Sequence, residues 1–363
     1  MSSVVEIAAG ISVNLYLLAG LGTAVGLIAG FVGVSGGYLL TPILIIMGFP
    51  APLAVGTGLA LMTANTLVAV IRHRRLGHLD LKMGLITAAG TMLGAEVGVR
   101  LLHVLEAYGD RAADIVVLGT LLATLILVGG SMLREVGERS AELANGCEES
   151  SAAEEGEVET AACRFLQSLI IFPHIRFTKS KLRISGWIVL LLGIVVGVLS
   201  GFLGVGGSFM LCPSLIYLVG QPSMMAVGTN LIGAFVGVAF GCFRHATFGN
   251  VELGIALAML LGMSLGTLIG AKGTSCVRGL AVRYVLAASV IAACFGPACK
   301  MVYFLTDAGV WNQAAKIVTV AQISIPVTMI IVLLVMARRH VRGQDVPDWA
   351  GRLMAGGRHA AAG

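Results

Sequence analysis

The stretch Gly26-Leu-Ile-Ala-Gly30-Phe31-Val-Gly33-Val-Ser-Gly36-Gly37, then Pro42, returns as Gly197-Val-Leu-Ser-Gly201-Phe202-Leu-Gly204-Val-Gly206-Gly207-Ser208, then Pro213. The offset is a constant 171 residues. After one inserted residue the match resumes at 172. It pairs Ala54-Val55-Gly56-Thr57 with Ala226-Val227-Gly228-Thr229, Arg72-His73 with Arg244-His245, and Gly77 with Gly249. A long repeat inside apolar sequence marks transporters, in which two copies of a helical unit enclose a site between them. What recurs is mainly Gly, Pro, Thr and an Arg-His pair. Those residue types shape a backbone and hold an anion rather than fill a core.

Mean hydropathy is +0.94, 57% of residues are hydrophobic and 12% are charged. Soluble domains carry about 25% charged residues, and none has interior enough for so much apolar surface. The apolar runs are about twenty residues long and lack strand-like alternation, which predicts an all-α polytopic membrane protein. Met1 to Asn14 contain one Glu and no Lys or Arg. No signal peptide is therefore expected, and the first hydrophobic segment should remain in the mature protein. Seven scattered cysteines form no CxxC pair, so neither a metal site nor a disulfide framework is indicated. No cofactor is expected.

Candidate spans cover 13–32, 54–71, 82–104 and 112–133, then 186–203, 226–243, 253–271, 281–305 and 317–337. Two shorter apolar stretches, 38–49 and 209–220, follow the glycine motifs. They are too short for comfortable spans and read as half-helices or re-entrant segments. The expected organisation is a first repeat over 13–133, an acidic cytoplasmic linker over 134–183, a second repeat over 184–305, an additional helix over 317–337 and a polar tail over 338–363. Residues 135–159 hold nine of the nineteen acidic residues and one basic one, the composition of a solvated linker. The remainder holds 23 Lys+Arg against 10 Asp+Glu, which suits a membrane's anionic inner face and an anionic substrate. Lys and Arg near the span ends place the 72–82 and 134–183 segments in the cytoplasm. Whether the repeats are parallel or inverted is open at this level.

The expected substrate site centres on Gly33, Gly36 and Gly37 and on Gly204, Gly206 and Gly207. Glycine pairs there would break a helix near the bilayer midplane and free backbone N–H groups beside a helix start. Spaced glycines also let membrane helices approach closely, an equally good structural reading. Thr57, Thr229 and Asn230, expected at the start of the helices that follow, offer hydroxyl and amide donors. Arg72, His73, Arg244 and His245 close those helices. The arginines suit either interfacial anchors or anion attraction, and a His can exchange protons near neutral pH. Glu96 lies inside a span, where a charge is costly unless paired or functional. Arg100 is four residues on, and Lys272 is the repeat-two match of Arg100. No nucleophile constellation, Walker loop or metal-ligand motif is present, so transport is expected to be secondary or passive and the chain is not expected to be an enzyme.

At these residues the chain resembles the TauE/SafE sulfite-exporter family, also called the toluenesulfonate uptake permeases. Both copies carry a glycine-rich helix, a GxGG-like turn, a Pro five residues on and an Ala-Val-Gly-Thr helix start. Arg72-His-Arg-Arg-Leu-Gly77-His-Leu-Asp80-Leu-Lys82-Met-Gly84-Leu is similar to the family's HxRxGxVDxKxGL segment. The likeness covers roughly residues 14–305. Ser35 and Ser208 stand where the family usually has Gly, and the acidic linker and the last span extend beyond its core.

The resemblance implies proton-coupled or facilitated movement of a small sulfur-containing anion such as sulfite, sulfoacetate or another organosulfonate, across a bacterial inner membrane. Expected partners are thus a small anion, the lipid bilayer and protons, with no nucleic acid; the sequence also allows a homodimer. Competing readings are a transporter of a carboxylate or cation, or a non-transporting scaffold or sensor.

Overall fold

A computed structural model describes residues 4–6, 12–75, 80–144, 174–177, 182–221, 223–274, 277, 279–341, 344 and 347. Helices dominate: α1 (Leu15–Val32), α2 (Gly37–Met47), α3 (Ala51–Arg75), α4 (Leu81–Glu106), α5 (Asp110–Ala144), α6 (Gly186–Leu203), α7 (Ser208–Ser214), α8 (Ser223–Thr247), α9 (Leu253–Thr274), α10 (Gly279–Thr306) and α11 (Gly309–Val341). α7 widens into a π turn over Leu215–Val219. Among the described residues nine helices are long and apolar enough to cross a membrane, and α2 and α7 with its π turn are the short apolar ones. The strands are two short antiparallel hairpins, Val4–Glu6 with Ser12–Asn14 and His174–Phe177 with Leu182–Ser185.

Local chemistry sets several of these boundaries. Asn14 Oδ1 accepts the Tyr16 N–H at 2.9 Å to start α1, and Ser185 Oγ accepts the Trp187 N–H at 3.3 Å to start α6. Such side-chain acceptors satisfy N–H groups that a helix start leaves open. Gly33 and Gly204 end the same helices with φ of 77° and 67°, a left-handed cap that glycine adopts without a Cβ penalty. α3 and α8 begin at Ala51 and Ser223. Thr57 and Thr229 therefore lie in the second turn and do not open those helices. Pro50 and Pro52 flank the first residue of α3, and proline is tolerated in a first turn because its missing N–H would be unpaired there.

The acidic segment differs in part from expectation. α5 runs on to Ala144, eleven residues past the expected end of its span. Arg134 with Glu138 and Glu135 with Arg139 stand four apart in sequence, a spacing that supports helix. Residues 145–173, most of the acidic linker, and the tail from 348 onward lie outside the described residues, as does Gly77.

The chain divides into two compact units. One comprises Met1–Phe49, Leu118–Asn145 and Leu253–Gly363; the other comprises Pro50–Val117 and Gly146–Glu252. In the first unit α1 lies parallel to α9 in close backbone contact. A Cβ on Gly22, Gly26 or Gly30 would fall on the carbonyl oxygens of Met259, Met263 and Thr267. The stripe is reciprocated by Gly262, Gly266 and Gly270 against Ala19, Thr23 and Leu27. Small residues permit this approach, and packing rather than hydrophobicity holds helices together in lipid. α10 and α11 pack against one another, and α2 packs on α10.

The second unit has the same device. Gly193, Gly197 and Gly201 of α6 meet Thr87, Thr91 and Ala95 of α4, while Gly90, Gly94 and Gly98 of α4 meet Leu190, Ile194 and Val198 of α6. α4 also packs on α8, where Thr91 Oγ1 donates to the Gly233 carbonyl at 2.8 Å. α7 doubles back beside α6. Its beginning at Gly207 lies against Val196, and the π turn's Leu215 and Val219 share a buried cluster with Val189, Met83 and Ala226.

Candidate functional site

The helix breaks are built alike in the two units. In the first, α1 stops at Gly33, whose N–H donates to the Ala29 carbonyl at 2.8 Å. The Gly37 N–H donates to Ser35 O at 2.7 Å, and the Gly36 carbonyl accepts from Leu39 and Leu40 at the start of α2. Gly36 provides no side-chain acceptor for the first turn of α2. The turn is enclosed: Ser35, Gly36, Gly37, Tyr38 and Leu39 are all buried. A Cβ on Gly36 would stand 2.6 Å from Val25 Cγ1. Next to the break, Tyr38 Oη and Ser289 Oγ form a buried hydrogen bond of 2.8 Å. Lys272 lies in the last turn of α9 and is exposed.

In the second unit α6 stops at Gly204, whose N–H donates to Ser200 O at 2.9 Å. Gly206 follows with φ of 70°. The Gly207 carbonyl accepts from Met210 and Leu211, and Gly207 likewise has no side chain to cap α7. Residues 200–209 are all buried. A Cβ on Gly207 would lie 3.2 Å from Val196 Cγ1 and 3.9 Å from Ala234 Cα. Asn230 stands one turn before Ala234 on α8. Its Oδ1 and the Ser200 Oγ are buried and have no hydrogen-bond partner among the described residues. A buried polar atom without a partner is costly, which makes this break a place with hydrogen-bonding capacity to spare.

The two threonines act as ties. Thr229 Oγ1 accepts the Asp80 backbone N–H at 3.1 Å and the Gln221 Nε2–H at 3.0 Å. Thr57 Oγ1 accepts the Glu252 backbone N–H at 3.0 Å. In both cases a threonine near one helix start binds the loop that leads into a helix far along the chain, 149 and 195 residues away. These bonds hold the loops and leave each hydroxyl proton as the remaining donor.

His245 and Arg244 end α8. The His245 ring is buried, its Nε2 lies 3.0 Å from the Gly201 carbonyl, and its Nδ1 has no partner among the described residues. It reaches the end of α6 beside the break. Arg244 closes a pair with Glu96: Nε donates to Oε2 at 2.6 Å and Nη2 to Oε1 at 3.1 Å. Arg100 Nε donates to the same carboxylate at 2.6 Å. The spacing of four predicts the Arg100 pair; nothing local predicts Arg244, whose partner stands 148 residues away. Arg72 and His73 lie in the last turn of α3, and their side chains are outside the described set.

Sequence reasoning missed Ser200, Gln221, Tyr38 and Ser289. Ser200 stands inside the quoted glycine stretch and is legible as a polar residue just before the break. Tyr38 and Ser289 carry no such signal.

The family model described as "Sulfite exporter TauE/SafE" matches residues 18–297. The chain is similar to the probable membrane transporter protein YjnA of Bacillus subtilis (strain 168), 27% identical over 264 residues, with 71% of this chain and 89% of the relative covered. A probable membrane transporter protein of Xylella fastidiosa (strain 9a5c) is 26% identical over 265 residues, covering 71% and 86%. The probable membrane transporter protein YdhB of Bacillus subtilis (strain 168) is 24% identical over 257 residues, covering 69% and 86%. No solved structure matches the chain. The matched stretch contains both glycine breaks, both reciprocal glycine stripes and the Glu96–Arg244 pair, and ends before α11. With nine apolar spans among the described residues and these breaks, and matched over most of its length, the chain belongs to the sulfite exporter TauE/SafE family of multi-pass membrane transporters.

Proposed function

We propose that the protein is a secondary transporter of a small sulfur-containing anion, sulfite or an organosulfonate, with substrate held at the helix breaks. The observation that carries the reading is the pair of glycine breaks, buried over Ser35–Gly37 and over Gly204–Gly207, with the hydroxyl of Ser200 buried and without a partner among the described residues at the second. The positive end of a helix dipole attracts an anion, so a desolvated oxyanion there needs no full countercharge. Ser200, Asn230 and the hydroxyl protons of Thr57 and Thr229 add neutral polar groups. The named description of the matching family supports the sulfur oxyanion class. A cation substrate is disfavoured because Glu96, the acidic group it would use, is taken by two guanidiniums.

Protons are the proposed coupling ion, with His73 and His245 as their carriers. The decisive experiment is thermal unfolding of purified protein with sulfite, thiosulfate, sulfoacetate, taurine, a dicarboxylate and monovalent cations, followed by flux of the stabilising ligand in proteoliposomes. A ligand at 100 times its Kd stabilises by about 2.7 kcal/mol. Stabilisation and flux restricted to sulfur anions are the expected result. A response to the dicarboxylate alone overturns the substrate class; a stable protein that moves none of the solutes favours a scaffold.

A further inference from the structure

Two arginines share one carboxylate on the second unit, and one positive charge is left over. Glu96 accepts from Arg244 and from Arg100. The two guanidiniums have different surroundings. Arg244 is largely enclosed, with its side chain 23% exposed, its Nη1 3.3 Å from Thr247 Oγ1 and its guanidinium 5.2 Å from the centre of the Phe248 ring. The Arg100 side chain is 68% exposed, and its hydrogen bond among the described residues is the single one to Glu96. The other acid near this end of α4, Glu106, is occupied by His103 Nδ1 at 3.1 Å and by Asn250 Nδ2 at 3.4 Å.

An apolar strip runs beside Arg100, with the exposed His103 one turn on paired to Glu106. Leu93, Val97, Leu101 and Val104 on α4 are exposed, and on a spanning helix an exposed apolar face is turned to lipid. Depth follows from Arg244, which stands three residues before the end of α8. At 1.5 Å per residue this places the shared carboxylate within about one helical turn of that helix end. An excess guanidinium at that depth, on a lipid-facing strip, has no polar protein partner among the described residues to complete it. An arginine so placed snorkels toward the headgroups.

We propose that Arg100 and the apolar face beside it form a docking site for an anionic phospholipid. The free nitrogens of the guanidinium take two oxygens of the headgroup phosphate, the planar fork matching the phosphate geometry. Val97, Leu101 and Val104 lie along the first methylenes of an acyl chain. A small soluble anion gains nothing from those side chains, whereas a lipid gains both contacts. The site is independent of the substrate reading, since it involves none of the residues of the breaks.

The test uses full-length protein in nanodiscs of phosphatidylcholine with graded phosphatidylglycerol. Lipids that remain bound are counted by native mass spectrometry, and thermal midpoints are recorded. Wild type should retain at least one more phosphatidylglycerol than phosphatidylcholine and gain stability with phosphatidylglycerol content. Arg100→Gln should lose that bound lipid and bind phosphatidylglycerol about fivefold more weakly, the equivalent of the ~1 kcal/mol that one cation contributes at an anionic surface. Arg100→Lys should retain most of the effect. A photoreactive benzoylphenylalanine at Val104, exposed and outside the ion pairs, should crosslink phosphatidylglycerol in preference to phosphatidylcholine, a readout that does not depend on any Arg100 variant folding. Unchanged lipid retention in Arg100→Gln, or equal crosslinking of both lipids, overturns the proposal. So does full reproduction of the stabilisation by inorganic sulfate at matched ionic strength, which would assign the site to small anions.

Discussion

The Nε2 of His245 lies 3.0 Å from the carbonyl oxygen of Gly201, and this bond replaces one that the helix cannot make. In a continuing helix the Gly201 carbonyl would accept from Val205, but α6 ends at Leu203 with Gly204 turned to the left-handed region. The imidazole of a different helix supplies the missing N–H. A carbonyl acceptor requires the proton on Nε2, so Nδ1 is the bare nitrogen, buried beside the break.

His245 should therefore tolerate replacement by a donor of similar reach. His245→Gln is expected to keep thermal stability close to wild type, and His245→Leu to lose about 1–3 kcal/mol, the cost of a buried carbonyl left unpaired. Detergent-solubilised thermal unfolding measures the difference. Equal stability of the two variants would mean that the bond contributes nothing to holding the end of α6.

The same Gln substitution separates latching from proton transfer, because an amide donates but does not titrate. With an organosulfonate that stays ionised throughout, flux should vary as the pH falls through the range in which imidazoles take up a proton, and His73→Gln with His245→Gln should flatten the profile. The sign follows from charge: a protonated imidazole favours the bound anion, and losing the proton favours release. A double variant that keeps the wild-type profile removes both histidines from coupling.

The glycine stripes predict a contrast within one helix. Gly20 of α1 has open space where a Cβ would stand, while a Cβ on Gly26 falls on the Met263 carbonyl oxygen. Gly20→Ala should be neutral or gain up to about 1 kcal/mol from helix propensity. Gly26→Ala should cost about 1–3 kcal/mol, because backbone cannot rotate aside as a side chain can. Gly94→Ala, which meets the Ile194 carbonyl in the other unit, should behave like Gly26→Ala. Midpoints of thermal unfolding for the three variants check this.

At the breaks the size of the added group should matter. Gly36 and Gly207 have φ of −66° and −50°, so a side chain is not excluded by the backbone. The nearest atoms are the side-chain carbons of Val25 and Val196, at 2.6 and 3.2 Å from a Cβ. Gly207→Ala should retain more flux than Gly36→Ala. Gly36→Leu and Gly207→Leu should each abolish flux with the protein still in the membrane. Near-normal flux in both Leu variants would remove the breaks from the transport path.

Arg244 is expected to act through Glu96. In a double-mutant cycle, Glu96→Gln and Arg244→Gln should couple by about 0.5–3 kcal/mol. Glu96 with Arg100 should couple by about 0.2–1 kcal/mol, as exposed pairs do. If Arg244→Gln instead lowers anion flux without any coupling to Glu96, the guanidinium serves the substrate directly.

Much of this molecule is legible in its amino-acid order. The spans follow from apolar length against bilayer thickness, and both short segments from their being too short. Both breaks follow from glycines that cap a helix and cannot cap the next. The Glu96–Arg100 pair is visible because a spacing of four is a neighbour relation within one helix. Thr57 and Thr229 are legible as polar residues near helix starts but not as loop ties, since their partners Glu252 and Asp80 belong to distant segments.

The amino-acid order sets each helix's own surface: where it begins, where it breaks and which stripe of it is smooth. Which surfaces meet is settled by packing. It laid α1 on α9 and α4 on α6, brought Arg244 across to Glu96, and carried His245 to the open end of α6. The physical reason is that periodicity and capping are encoded within a few turns of chain, whereas the fit of two glycine stripes, or of an imidazole to one orphaned carbonyl, exists only once helices far apart in sequence have packed.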